Sequence, residues 1–163
     1  GAAYAGEEIS GTVYLSVAKP CSASTLQILL VGREHSHTHW TTTRSHGTGK
    51  DRRTETVHHH AYANKQLLFL NVPLASFPNG VIPAGNYEFP FRALLPEDLP
   101  SSMYATGGGG DCRVEYSIEA RLHRPGMLKW DVTARRSLHV QARPLPRIPQ
   151  PYAAEPVTTQ VNM

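Results

Sequence analysis

Apolar and polar residues alternate at every second position through most of this chain, a period that strands satisfy and helices do not. In ISGTVYLSV, Ile9, Val13, Leu15 and Val17 share one face with Gly11, while Ser10, Thr12, Tyr14 and Ser16 take the other. YEFPFRALLP sets Tyr87, Phe89, Phe91, Ala93 and Leu95 against Glu88, Pro90 and Arg92. Pro90 has no N–H and belongs on an edge or at a bulge. CRVEYSIEARLH sets Val114, Tyr116, Ile118, Ala120 and Leu122 against Arg113, Glu115, Ser117, Glu119 and Arg121. In KWDVTARRSLHV the apolar parity holds Trp130, Val132, Ala134, Leu138 and Val140, and Arg136 interrupts it. Either a bulge shifts the register there or a charge points inward. TLQILLVG is more continuously apolar, as expected for a strand buried on both sides or crossing a sheet edge, and NKQLLFLNV is another apolar run at 64–72.

Thirteen glycines and thirteen prolines among 163 residues are spread as breakers between these runs, and no segment keeps a helical period. RPGM at 124–127 is a turn signal, and TGGGGD at 106–111 reads as a flexible loop. Strands with one apolar face must bury it against a second sheet. The fold expected is therefore all-β, an immunoglobulin-like antiparallel β-sandwich. Residues 1–142 make up that lobe. Residues 143–163, opening with RPLPRIPQP, form a proline-rich linker or tail.

Bulk properties narrow the function. Net charge is +3 with pI near 9.0, short of the imbalance of a dedicated nucleic-acid binder. Cys21 and Cys112 are too few for a disulfide scaffold, and no N-x-S/T sequon occurs, which leans towards a reducing cytosol. The apolar runs are too short to span a bilayer as helices, and the opening lacks the pattern of a secretory signal. GGGG lacks the Lys-Ser/Thr of a phosphate-binding loop, and neither Cys112 nor Ser101 and Ser102 stand in a nucleophile signature. The expectation is a non-enzyme without cofactors.

Four segments in order, YAGEEISGTVYLSVAKP, LQILLVGREHSHTHW, IPAGNYEFPFRALLPEDLPSSM and CRVEYSIEARLHRPGMLKWDVTARRSLHV, resemble the amino-terminal lobe of arrestin-like proteins. The likeness covers roughly residues 4–142 and is closest to the arrestin-domain-containing (α-arrestin) branch, with PAGNYEFPFRALLPEDLPSS its most specific block. The resemblance implies an adaptor or scaffold lobe that binds membrane-protein cytoplasmic tails or other proteins and serves trafficking or ubiquitination. A ubiquitin ligase would be engaged through regions missing here, the second lobe among them. The proline–proline–x–tyrosine ligase motif does not occur, PQPY at 149–152 having the wrong order. The family's first strand, before YAGE, is absent or cut, which predicts self-association through an exposed edge strand. The implied location is cytoplasmic, peripheral at the plasma membrane or endosomes. A retromer-type coat subunit of the same fold is the neighbouring alternative. A histidine-based metal-binding module is the alternative of a different class.

Four candidate sites emerge. Residues 41–53 read as a hairpin tip carrying Arg44, Lys50, Arg52 and Arg53 against Asp51, suited to phosphate or carboxylate groups of a partner or an anionic membrane surface. TARRSLHV resembles the arrestin strand whose arginine joins a buried ionic cluster, which makes Arg135 or Arg136 its counterpart. Arg143, Pro146 and Pro149 have the spacing of a Src-homology-3 ligand on a polyproline helix. His35, His37 and His39 alternate along one strand, where residues two apart stand about 6.5–7 Å apart. Folding back near Gly47–Gly49 would bring His37 to His58 or His59 and His35 to His60, so His35, His37, His58 and His60 are the residues of a four-histidine metal patch. Trp40 and Trp130 are expected as bulky core or edge anchors.

Overall fold

The alternation in sequence becomes an alternation in burial. The computed structural model describes residues 2–126 and 130–143. Eleven strands follow in order: β1 (Ala3–Tyr4), β2 (Glu8–Val17), β3 (Cys21–Ser22), β4 (Thr25–His46), β5 (Arg53–Ser76), β6 (Val81–Ile82), β7 (Gly85–Leu94), β8 (Met103–Gly107), β9 (Gly110–His123), β10 (Val132–Leu138) and β11 (Val140–Gln141). One sheet has the order β10-β9-β4-β5, with β8 pairing β9 on the edge that β10 also uses. Antiparallel β2 and β7 form the facing sheet. Two short pairs, β1-β11 (parallel) and β3-β6, complete the described strands.

The core lies between the two sheets. Ile28 and Leu30 from β4, Leu68 from β5, and Val114 and Tyr116 from β9 meet Ala93 and Leu95, with Ile9, Val13 and Phe91 packed against them. A second cluster of Val17, Leu26, Ile82 and Leu122 closes one end. Each such aliphatic side chain, taken from water to full burial, contributes roughly 1.5–3 kcal/mol. Leu67 and Leu68 both meet this core although neighbours on a strand point opposite ways. A register shift between Gly32 and Arg33 leaves Leu67 as the extra residue on β5, and the bulge turns it inward.

Loop 95–102 is anchored at the other end. The Tyr116 hydroxyl donates to the Pro100 carbonyl at 2.8 Å. The Ser101 and Ser102 hydroxyls accept from the Ala142 and Val140 N–H groups at 2.8 and 3.0 Å. Leu95, Leu99 and Val140 are buried beneath them. On the hairpin of β9 and β10, the Asp131 carboxylate accepts from the Arg124 N–H and pairs with His123, and these contacts, the N–H first, hold its pKa below the usual carboxylate range.

Several expectations change. TGGGGD is no loose loop: Gly107 pairs with Gly110, so only Gly108 and Gly109 turn the β8–β9 hairpin. The apolar run NKQLLFLNV lies within the 24-residue β5. Neither tryptophan is a core anchor. Trp40 is 47% exposed and Trp130 88% exposed, because one lies on an arm beyond the core and the other beside the β9–β10 turn. Arg136 needs no bulge: it pairs in unbroken register opposite Ile118, and its place on an edge strand lets an inward-parity guanidinium reach solvent. The RPGM turn lies partly outside the described residues, with Gly126 at φ 132.

Candidate functional site

Strands β4 and β5 are far longer than the five or six residues usual for a strand. Both run past the core as a two-stranded arm. β9 pairs with β4 only as far as Thr38↔Gly110. The eight residues from there to His46 extend roughly 25 Å, and apart from the His39 N–H, which donates to the Gly109 carbonyl at 2.7 Å, they have β5 as the one strand partner among the described residues. Apart from Trp40, threonines and other polar residues fill this part, so no apolar face draws it back to the core. Gly47 and Gly49, at φ 86 and 64, reverse the chain through a single 3-10 turn at Gly49–Asp51.

The predicted basic tip sits here. Arg44, Lys50, Arg52 and Arg53 are all exposed. The Arg52 guanidinium donates to Ser45 Oγ at 3.3 Å, and Arg44 stands opposite Glu55, which lies 3.7 Å from His46. Asp51 and Glu55 leave the cations in excess, presented on a narrow projection open on all sides.

The histidines lie on the stem of the arm. The 3-10 turn takes residues 47–52 out of the ladder, so the first pair is His46↔Arg53 and His35 pairs four residues further along β5 than the expected His60. His60 therefore faces His39, His58 faces Thr41, and His35 faces Asn64. The patch of His35, His37, His58 and His60 is not assembled. Among the described residues, no three His, Cys, Asp or Glu side chains converge as a ready-made metal cage. What forms instead is a column of flat rings. His37 stacks on Tyr62 at 4.5 Å between centroids and lies 5.3 Å from His60, within 7° of coplanar. His37 Nε2 and His60 Nδ1 are 3.0 Å apart, and Asp111 Oδ1 is 3.4 Å from His37 Nδ1. His39 rests about 6 Å from both rings. On the opposite face Trp40 stacks on His59 at 5.3 Å. The parity of 35, 37 and 39 was readable in the sequence, but Asp111 and Tyr62 became partners through β9 and β5, which no local signal announces.

Two concave surfaces accompany the arm. The outer face of the large sheet holds a shallow depression of about 250 Å³ lined by Leu29, Val31, Phe69, Arg33, Arg121 and Arg135. Arg121 is already engaged by Glu119 at 2.7 Å. The flank between β10 and β2 opens into a groove of about 500 Å³ floored by Val13, Ile28, Phe91 and Ile118, with Arg136 at its lip. Arg135 borders both spaces, and Arg136 borders the groove. Both are exposed and neither forms an ion pair among the described residues, so no buried ionic cluster surrounds them. Arg143 pairs with Glu97 at 3.3 Å, while Pro146 and Pro149 lie outside the described residues.

Residues 2–143 match the family described as arrestin (or S-antigen), N-terminal domain. An arrestin domain-containing protein of Schizosaccharomyces pombe is 34% identical over 71% of this chain, and arrestin domain-containing protein 17 of Caenorhabditis elegans is 29% identical over 84%. The protein creD of Emericella nidulans, named as interacting with a HECT-type ubiquitin ligase, is 25% identical over 83%. The chain spans 18%, 30% and 21% of these three relatives.

Proposed function

We propose, from the premise that this chain belongs to the arrestin family as an amino-terminal domain, that it is an adaptor lobe acting by binding rather than catalysis. The observation that carries this is the arm: a polar ribbon that leaves the core and ends in four exposed cations. A narrow cationic tip suits acidic or phosphorylated segments of membrane-protein cytoplasmic tails, which it would grip through charge-assisted hydrogen bonds. The lobe would then work at the cytoplasmic face of the plasma membrane or endosomes. The naming of creD as a HECT-type ligase-interacting protein supports a link to ubiquitination, made through regions beyond this lobe.

The test is binding of a fluorescent phosphorylated acidic peptide at about 50 and about 300 mM salt. Screening shortens the reach of exposed charges over this range, so affinity should fall severalfold. Replacing Arg44, Lys50, Arg52 and Arg53 with serine should abolish both the binding and its salt dependence. Salt-insensitive binding retained by the fourfold variant would refute the reading.

A further inference from the structure

Seven of the chain's nine histidines fall between residues 35 and 60, on the arm. Three of them are occupied individually. His35 Nδ1 is 2.6 Å from Asn64 Oδ1, His59 Nε2 is 2.8 Å from Thr42 Oγ1, and His46 lies beside Glu55. His37 and His60 differ, because each turns a ring nitrogen to the other. We infer that His37 Nε2 and His60 Nδ1 form a two-nitrogen chelate for a late first-row divalent metal ion, Cu²⁺ most tightly, with His39 as third ligand. This is independent of the tip's role as a docking element.

The separation supports the inference. At about 2.0–2.1 Å per metal–nitrogen bond, two nitrogens subtending a right angle at the ion stand about 2.9 Å apart, and a tetrahedral pair about 3.3 Å. The observed 3.0 Å lies between these values. Its closeness to the right-angle spacing favours tetragonal Cu²⁺, which also heads the affinity order for nitrogen ligands. The tautomers follow from the third member. The Asp111 carboxylate, 3.4 Å from His37 Nδ1, favours the tautomer with its proton on that nitrogen, which would leave the His37 Nε2 lone pair free for a ligand. A carboxylate behind a ligating imidazole is the usual outer partner, fixing the ring and raising its basicity. His60 Nδ1–H then donates to His37 Nε2 in the metal-free protein. On binding, the ion replaces that hydrogen, and the proton passes through solvent to His60 Nε2, so the exchange is balanced. The rings, 7° from coplanar, need only turn about their Cβ–Cγ bonds for the lone pairs to converge. His39 is exposed and directly opposite His60 in register, so a side-chain rotation brings it to the same ion. Tyr62, stacked on His37, limits motion of the first ring.

The test is calorimetric titration of the 163-residue chain with Cu²⁺ and with Zn²⁺ at pH 7.5, with the nitrogen count read from the Cu²⁺ electron paramagnetic resonance spectrum. One equivalent should bind, with Cu²⁺ tighter than Zn²⁺. His37→Ala and His60→Ala should each weaken binding by at least about 30-fold, and Asp111→Asn by about 10-fold, within the range for outer partners. His35→Ala and His58→Ala should change it less than about twofold, since neither shares the chelate. Matched melting curves for the five variants, four altered on β4 or β5 and one on β9, would exclude loss of fold. Absence of stoichiometric binding would overturn the inference. So would equal losses from His58→Ala and His60→Ala, which would mean diffuse adsorption on a histidine-rich surface.

Discussion

Tyr116 is a buried member of the larger core cluster. Its ring lies across Gly32, where an added Cβ would stand 2.5 Å from the ring edge and 3.0 Å from Leu68 Cβ. Both neighbours are buried and hemmed in by the core, so neither can yield cheaply. Gly32→Ala should therefore destabilise the lobe by about 1–3 kcal/mol, the usual cost of overpacking, measured as a shift in urea midpoint at constant slope. The hydroxyl makes a separate prediction. Burial first, and the Asp98 carboxylate second, push the phenol up from 10.0 to about 12. The folded protein thus holds this proton more tightly than the unfolded chain does. The resulting stability is complete below pH 10 and is lost as pH rises from 10 towards about 12. Tyr116→Phe should cost about 1 kcal/mol at pH 7 through the lost bond to Pro100, yet flatten the alkaline loss of melting temperature. An alkaline limb unchanged in the variant would assign that loss to other groups. At this scale the sequence showed Tyr116 on the apolar face but not the glycine beneath it, because that contact joins β4 to β9 across some 84 positions, from 32 to 116. The tryptophans misled for a related reason: size predicts burial only where a second sheet is present to cover the ring.

The elements were legible to the extent that their periodicity was local. β2, β7 and β9 follow their alternating segments closely, since each has one face on the core. The arm was half legible. Its glycine turn could be read, but its register could not, because one 3-10 turn decides how many residues leave the ladder and no apolar face on the arm penalises a slip. That lack of an apolar face has a dynamic consequence. From Thr25 to Thr38, β4 is flanked by both β5 and β9, and the His39 N–H still reaches the Gly109 carbonyl, whereas beyond His39 it has β5 alone among the described residues. Two-stranded ribbons are marginal without a packed face. Amide hydrogen exchange should therefore show a step: Leu26 to Gly32 protected close to the global limit, and Thr41 to His46 with Arg53 to His58 exchanging at least about a hundredfold faster. Uniform protection along β4 would mean that the arm is covered by something else. Occupancy of His37 and His60 by a metal would move the step outward, towards the tip, by clamping the stem at His60.

For the molecule as a whole, the unpaired edges set the behaviour. Among the described residues, β2 is bonded only to β7 and β10 only to β9, so ten-residue and seven-residue strands each offer one side of backbone donors and acceptors. The apolar groove between them adds a reason to be covered, because Ile118 and Phe91 are only partly buried there. The overall charge of +3 opposes association only weakly. In a solution of this lobe alone, the partner at hand is a second copy, and antiparallel pairing of like edges closes with two-fold symmetry. Sedimentation velocity should show a concentration-dependent dimer, growing as the protein approaches millimolar levels. A lysine placed on the outer parity of one edge, Thr12→Lys in β2 or Thr133→Lys in β10, should weaken the dimer about tenfold or more by setting like charges opposite each other across the new pair. Both positions face away from the core, so melting temperature should hardly move. The variant that restores the monomer names the edge in use, and a wild-type lobe that stays monomeric throughout would show that neither edge is sticky enough to pair.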